Sequence, residues 1–275
     1  MTRSLRAITA LMAAACSLAG AAAAEAKTLD VALLGDSYSA GVGGGNSSGA
    51  PCYRSPNTWG QKYGELARAE GHTVNVTNLA CGGAEVLGTG GTPEKSLAFQ
   101  ISQVPANTDL VLMTIGGNDA GFGNMVPWCF TPVLAGPNNC RIALENGTDE
   151  MPTVQANLAA QLEDLGEQLH ADAKVVILTY PYLALPSGYL LKTLFASYDS
   201  GAGVRAWGDD LDAHVTAAAA QATIAVEREN FATVVSTKAR FAGHEPDQNP
   251  WVQNPDRWIL EWTQLPEFVD FYHPS

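Results

Sequence analysis

The sequence predicts an α/β domain in which a parallel sheet of five strands carries helices on both faces. Two observations lead there. Short β-branched and apolar runs alternate with stretches of helical spacing, and neither a fixed-period repeat nor a linker divides the chain, so one domain runs from Lys27 to Ser275. The first run, Thr28 to Leu34, stops at Gly35 and reads as a buried strand. A helix over Thr58 to Glu70 follows, then a strand over Thr73 to Leu79, a helix over Leu97 to Val104 and a strand over Asp109 to Ile115. The second half gives a helix over Val154 to His170, a strand over Lys174 to Tyr180, a helix over Val204 to Asn230 and a last strand over Ala232 to Val235. The intervening loops are rich in Gly, Pro and Asn.

Ahead of the first strand, Arg3 and Arg6 precede an apolar run from Ala7 through Ala24 that finishes in the small-residue pattern Ala24-Glu25-Ala26. This is the pattern of a secretory signal spanning residues 1–26, cleaved after Ala26. The run is nearly long enough for a membrane anchor, but its Ala/Gly richness and the small-x-small pattern favour removal, and Cys16 is lost with it. No later apolar segment reaches about 20 residues; the nearest, Tyr182 to Phe195, is broken by Pro186, Gly188 and Lys192. A secreted protein with no stable membrane insertion is therefore expected.

With 15 Lys+Arg against 28 Asp+Glu, the chain of 275 residues has a formal net charge of −13. Such a chain repels phosphate backbones and anionic headgroups, which argues against nucleic-acid partners and electrostatic membrane docking. Four cysteines remain after cleavage: Cys52, Cys81, Cys129 and Cys140. In an oxidising compartment they predict two disulfides, with three pairings open. The sequential pairing would staple loops rather than the core. No close Cys pair or His-x-x-x-His spacing supports zinc, and no metal site is expected.

In parallel sheets ligands sit beyond the carboxyl ends of the strands, so the chemistry is sought in the loops after Leu34, Leu79 and Ile115. The first is Gly35-Asp36-Ser37-Tyr38-Ser39-Ala40-Gly41, a tight exit that presents the Ser37 hydroxyl at the sheet edge as a nucleophile, if a base can reach it. In the second, Cys81-Gly82-Gly83-Ala84, missing side chains let backbone N–H groups approach a ligand oxygen. The third, Gly116-Gly117-Asn118-Asp119, adds an amide donor at Asn118. Near the other end stands Asp270-Phe271-Tyr272-His273-Pro274, a spacing that lets Asp270 hold one ring nitrogen of His273 while the other takes a proton from Ser37.

Three glycine-bearing motifs, each directly after a predicted strand, followed by a late Asp/His pair, resemble the SGNH (GDSL) hydrolases, in particular their secreted actinobacterial esterase and lipase branch. The resemblance spans Leu29 to Pro274, and the four namesake residues map to Ser37, Gly83, Asn118 and His273. Cys52-Tyr53-Arg54-Ser55 and Phe241-Ala242-Gly243-His244 followed by Trp251 look like the same branch. The resemblance implies a flavodoxin-like three-layer α/β/α sandwich, the pairings Cys52 to Cys81 and Cys129 to Cys140, and a monomer that cleaves small-molecule or lipid esters. It further implies catalysis by Ser37 and His273, with Asp270 as orienting acid. The oxyanion hole would be made by the Ser37 and Gly83 N–H groups and the Asn118 amide, with no cofactor. Phospholipid or O-acetylated carbohydrate substrates belong to the same superfamily, and a non-catalytic binding protein on the same scaffold is the alternative of another class.

Two departures stand beside it. Family members usually continue past the His-Pro pair with a closing helix, whereas His273 lies two residues from Ser275, where chains fray, so either the sequence is truncated or the base is poorly held, and both would lower activity. Some relatives replace the triad acid with a main-chain carbonyl, which weakens Asp270. Among other candidates, Gly45-Asn46-Ser47-Ser48-Gly49 matches a nucleophile elbow but follows no strand. His244 lacks a carboxylate three positions before it and reads as a structural loop residue. Asp36 and Asp119 read as turn-fixing residues. Tyr38, Phe122, Trp128 and Tyr182 are aromatic candidates for an acyl pocket, and Tyr182 to Tyr198 is a candidate cover.

Overall fold

The computed structural model describes residues 26–88, 91–131, 134–246, 256–260 and 272–274. The segment read as a secretory signal, apart from Ala26, lies outside the described residues, as do Asp270 and Trp251.

Five strands form one sheet: β1 (Thr28–Gly35), β2 (Thr73–Asn78), β3 (Leu110–Thr114), β4 (Lys174–Leu178) and, after a hairpin, β7 (Ala232–Val235). The order is β2-β1-β3-β4-β7 and every pairing is parallel, as in flavodoxin-like sheets. Each strand falls within a residue or two of its predicted run: the central β1 and β3 are apolar and buried through most of their length, whereas the edge strands β2 and β7 alternate, with one face more exposed than the other. The two-residue alternation then sorts the side chains. Val31, Leu33, Val74 and Leu112 face one layer, where α2 (Trp59–Ala69) packs through Ala67. Ala32, Leu34, Val111, Met113, Val175 and Ile177 join the larger cluster on the opposite face. That layer contains α3 (Leu97–Ser102), α5 (Pro137–Gln168) and α6 (Ser200–Ala225), represented in the cluster by Ile101, Leu162 and Leu211.

Several elements differ from the sequence reading. A four-residue α1 (Ser37–Ala40) and a nine-residue α4 (Phe122–Phe130) occupy predicted loops. The helix expected from Val154 begins at Pro137; Gly147 and Pro152 hid its first half. Gly147 is there for contact, since a Cβ would stand 2.2 Å from the Ala120 carbonyl oxygen and 2.8 Å from Trp207 Nε1. The predicted helix over Val204 to Asn230 is shifted to Ser200–Ala225: Asp199 caps it by accepting from the Ala202 N–H at 3.2 Å, and it ends before the positive φ of Glu227 and Asn230. Between β4 and α6 the candidate cover contains an antiparallel hairpin, β5 (Leu190–Lys192) and β6 (Ser197–Asp199). A short α7 (Lys238–Phe241) follows β7.

The disulfides are Cys52–Cys81 and Cys129–Cys140. They correct the expectation that they staple only loops: all four cysteines are buried within the main core cluster, and the second joins α4 to α5. A small apolar sulfur pair is well suited to such close-packed junctions. Among the described residues, no helix is long and apolar enough to cross a membrane.

Candidate active site

The sheet order creates the site. From adjacent strands β1 and β3 the chain departs to opposite sides, towards β2 and β4, so their carboxyl ends flank a crevice. Ser37 follows β1 on one side and Asn118 follows β3 on the other.

At the β1 exit Gly35 has φ 104°, and a Cβ there would lie 1.9 Å from the Thr114 carbonyl oxygen, so the backbones can meet only at glycine. Asp36 then caps α1, its Oδ1 accepting from the Tyr38 N–H at 3.0 Å. The same oxygen accepts from Thr114 Oγ1 at 2.7 Å, and Oδ2 accepts from the Tyr180 hydroxyl. Tyr180 Oη in turn accepts from the Gly117 N–H at 3.1 Å, so one phenol joins the turn that carries Ser37 to the turn that carries Asn118. Burial raises the Asp36 carboxyl to about 6, and burial beside that carboxylate pushes Tyr180 well above the usual phenol range.

The loop after β2 is tied to both. The Cys81 N–H donates to the Gly35 carbonyl at 2.9 Å, and Gly83 turns with φ 77°. Asn118 Nδ2 donates to the Ala84 carbonyl at 2.8 Å, and the Asp119 carboxylate accepts from the Val86 N–H at 3.0 and 3.2 Å. Desolvation raises Asp119 to about 6. Neither the Ser37 nor the Gly83 backbone N–H donates to another described residue. The Lys95 ammonium stands 3.3 Å from where a Gly83 Cβ would be.

His273 completes the arrangement. Its Nε2 lies 2.7 Å from Ser37 Oγ, across 236 positions of sequence, and both residues are buried. The base segment is tied at several points, against the alternative in which it is poorly held. The Leu260 N–H donates to the His273 carbonyl at 2.8 Å, the Tyr272 N–H donates to the Leu260 carbonyl at 2.9 Å, and the Tyr38 hydroxyl donates to the Tyr272 carbonyl at 2.6 Å. Tyr272, buried with φ 58°, stacks on Phe130 at 4.7 Å between ring centroids, and the imidazole packs against the rings of Tyr38 and Phe122, at 5.2 and 6.1 Å, which also meet each other at 6.5 Å. Hydrogen bonds and ring packing thus hold Tyr272 and His273 in place.

A cavity opens beside Ser37 and Asn118, walled by Phe122, Tyr182, Leu183, Trp207 and Leu211. Tyr38, Phe122 and Tyr182 line it as the aromatic reading supposed; Trp128 lines a different groove with Asn146 and Glu150. His244 stacks on Trp258 at 3.6 Å and its Nδ1 meets the Asp256 carbonyl oxygen, the place of a loop-fixing residue. Tyr180, Thr114 and the Tyr38 hydroxyl escaped the sequence reading, since nothing local marks a tyrosine at a strand exit as the partner of an aspartate 144 positions away.

Residues 33–275 match the model of the GDSL-like Lipase/Acylhydrolase family. The chain belongs to that family. It is 36% identical over 291 aligned positions to a lipase from Streptomyces rimosus, covering 100% of this chain and 94% of the relative. It is 31% identical to lipase 2 of Streptomyces coelicolor, covering 88% and 79%. The crystal structure of an extracellular lipase from Streptomyces rimosus superimposes with a TM-score of 0.65 at 28% identity, covering 90% of this chain and 92% of that one. The phospholipase A1 from Streptomyces albidoflavus NA297 gives 0.66 at 26% identity, with the same coverage.

Proposed function

We propose that residues 27–275 form one secreted domain that hydrolyses carboxylic esters through an acyl-enzyme on Ser37. The observation that carries this reading is the 2.7 Å contact between Ser37 Oγ and His273 Nε2 at the mouth of an apolar cavity. Neutral His273 accepts the hydroxyl proton as Oγ attacks the ester carbonyl. The tetrahedral intermediate then collapses, and the same proton goes to the departing alcohol. Water repeats the cycle: it attacks the acyl carbon, gives its proton to Nε2, and Ser37 leaves with that proton as the acid is released. The Ser37 and Gly83 N–H groups and the Asn118 amide receive the developing oxyanion. Asp270, three positions before His273, is assigned to orient the ring. Membership of a family with an extracellular relative, together with the signal pattern over residues 1–26, supports secretion.

Hydrolysis of a nitrophenyl ester series by wild type, Ser37→Ala and His273→Ala tests the assignment. Both variants are expected to lose nearly all turnover while melting as the wild type does; activity persisting in both would remove it. Fast labelling of Ser37 by an organophosphonate separates an enzyme from a binding protein on the same scaffold, because only an activated serine reacts quickly. One observation favours a phospholipid substrate as a second reading: the Lys95 ammonium beside Gly83 would meet a phosphate on a substrate whose carbonyl oxygen occupies the proposed hole.

A further inference from the structure

The connection from β4 to α6 begins by lining the cavity with Pro181, Tyr182 and Leu183 and then rises into the β5–β6 hairpin. At its turn, Leu194 is 88% and Phe195 93% exposed, the two most exposed large apolar side chains among the described residues. An isolated exposed apolar residue is ordinary, but an adjacent pair at a turn with no charge from Thr193 through Ala196 is not.

The stem beneath is fixed. Leu191 pairs with Tyr198 in the antiparallel register, Tyr189 is buried against Gly201, and Ser200 Oγ donates to the Tyr189 carbonyl at 3.0 Å. The turn also pairs three of its own backbone donors: the Thr193 N–H donates to the Ala196 carbonyl at 2.8 Å. Thr193 Oγ1 accepts from the Phe195 and Ala196 N–H groups at 3.4 and 3.0 Å. A pre-formed turn with these donors paired can enter a poorly hydrated region at little cost in entropy or stranded hydrogen bonds.

Its location follows from topology. β4 ends and α6 begins at the carboxyl edge of the sheet, the edge that Ser37 and Asn118 follow, so the hairpin stands on the catalytic side. Leu87, 53% exposed in the loop after β2, belongs to the same edge. Two side chains at a tip cover far less than the roughly 1,000 Å² that a specific protein interface needs. A net charge of −13 disfavours anionic surfaces.

We propose that Leu194 and Phe195 form an insertion tip that docks the enzyme on the surface of an aggregated, uncharged or zwitterionic lipid ester. The proposal rests on the ester-hydrolase reading and adds the physical state in which the substrate is met. It places the cavity mouth beside the interface, so that an acyl ester need not leave its aggregate before reaching Ser37.

The test is sedimentation of the full chain with vesicles of dialkyl-ether phosphatidylcholine, which contain no ester to cleave. Turnover of soluble nitrophenyl butyrate is measured in parallel, for wild type and for Leu194→Ser/Phe195→Ser. Wild type is expected to bind; the double variant should bind at least about tenfold more weakly while hydrolysing the soluble ester within about twofold of wild type. Equal binding by the two proteins, or no binding by wild type, overturns the proposal. So does a wild-type dimer that the double variant dissolves, because the tip would then be a contact between copies of the chain. Wild type that binds vesicles through the tip but leaves nitrophenyl butyrate intact would uphold the docking tip and defeat the ester-hydrolase reading instead.

Discussion

At Tyr38 one hydroxyl links the two ends of the candidate site. It sits one residue after Ser37 and donates to the carbonyl of Tyr272, one residue before His273. Tyr38→Phe keeps the ring beside the imidazole and deletes only that bond. It should cost about 1 kcal/mol of stability and lower kcat several-fold with little change in KM, as expected of a positioning residue; unaltered kcat in a variant of reduced stability would refute the link. Asp119 offers a test by pH. Unfolded, its carboxyl titrates near 3.8; folded, it is raised to about 6. Between those values the folded protein holds a proton that the unfolded chain has released. The stabilisation is therefore complete below about pH 4 and is lost as pH rises through about 6. Urea unfolding of wild type and Asp119→Asn at pH 4 and 7 should show the wild-type advantage falling by on the order of 1–3 kcal/mol over that range. A difference independent of pH would contradict it.

Among the elements, α6 carries a glycine where helix formation argues against one. Gly208 lines the cavity, and a Cβ built there meets nothing within 4 Å. A helix-interior glycine costs about 1 kcal/mol relative to alanine, and here it leaves the cavity unfilled. Gly208→Leu is expected to retain or gain stability while reducing the ratio of kcat/KM for decanoate over butyrate nitrophenyl esters by about tenfold. A ratio equal to wild type would mean that the acyl chain lies elsewhere. The elements also show what was legible. The strands could be read because Val31 to Leu34 or Val175 to Ile177 are apolar without interruption. The first half of α5 could not, because Gly147 and Pro152 signal breaks to a local reading, and the Ala120 and Trp207 atoms that require Gly147 belong to other parts of the chain.

For the molecule as a whole, the Cys129–Cys140 bond joins α4, which carries Phe122 to the cavity and Phe130 to Tyr272, to the long α5. Its loop of 11 residues corresponds to about 2.8 kcal/mol of chain entropy in the unfolded state. Cys129→Ala/Cys140→Ala should unfold at lower urea by about that amount and lose turnover before it melts, because α4 supports the base segment; equal stability, or activity that tracks only the folded fraction, would refute this. The sequence by itself determined the five strands of the sheet and the residues at each strand exit, because periodicity and turn chemistry act over a few neighbouring positions. Tertiary structure alone decided that the Tyr38 hydroxyl reaches the Tyr272 carbonyl, that Tyr180 joins two turns and that Leu194 and Phe195 stand clear of the surface. Contacts between residues so far apart in sequence exist only once the sheet has brought its exits to one edge, and no local rule encodes which distant side chain will be waiting there.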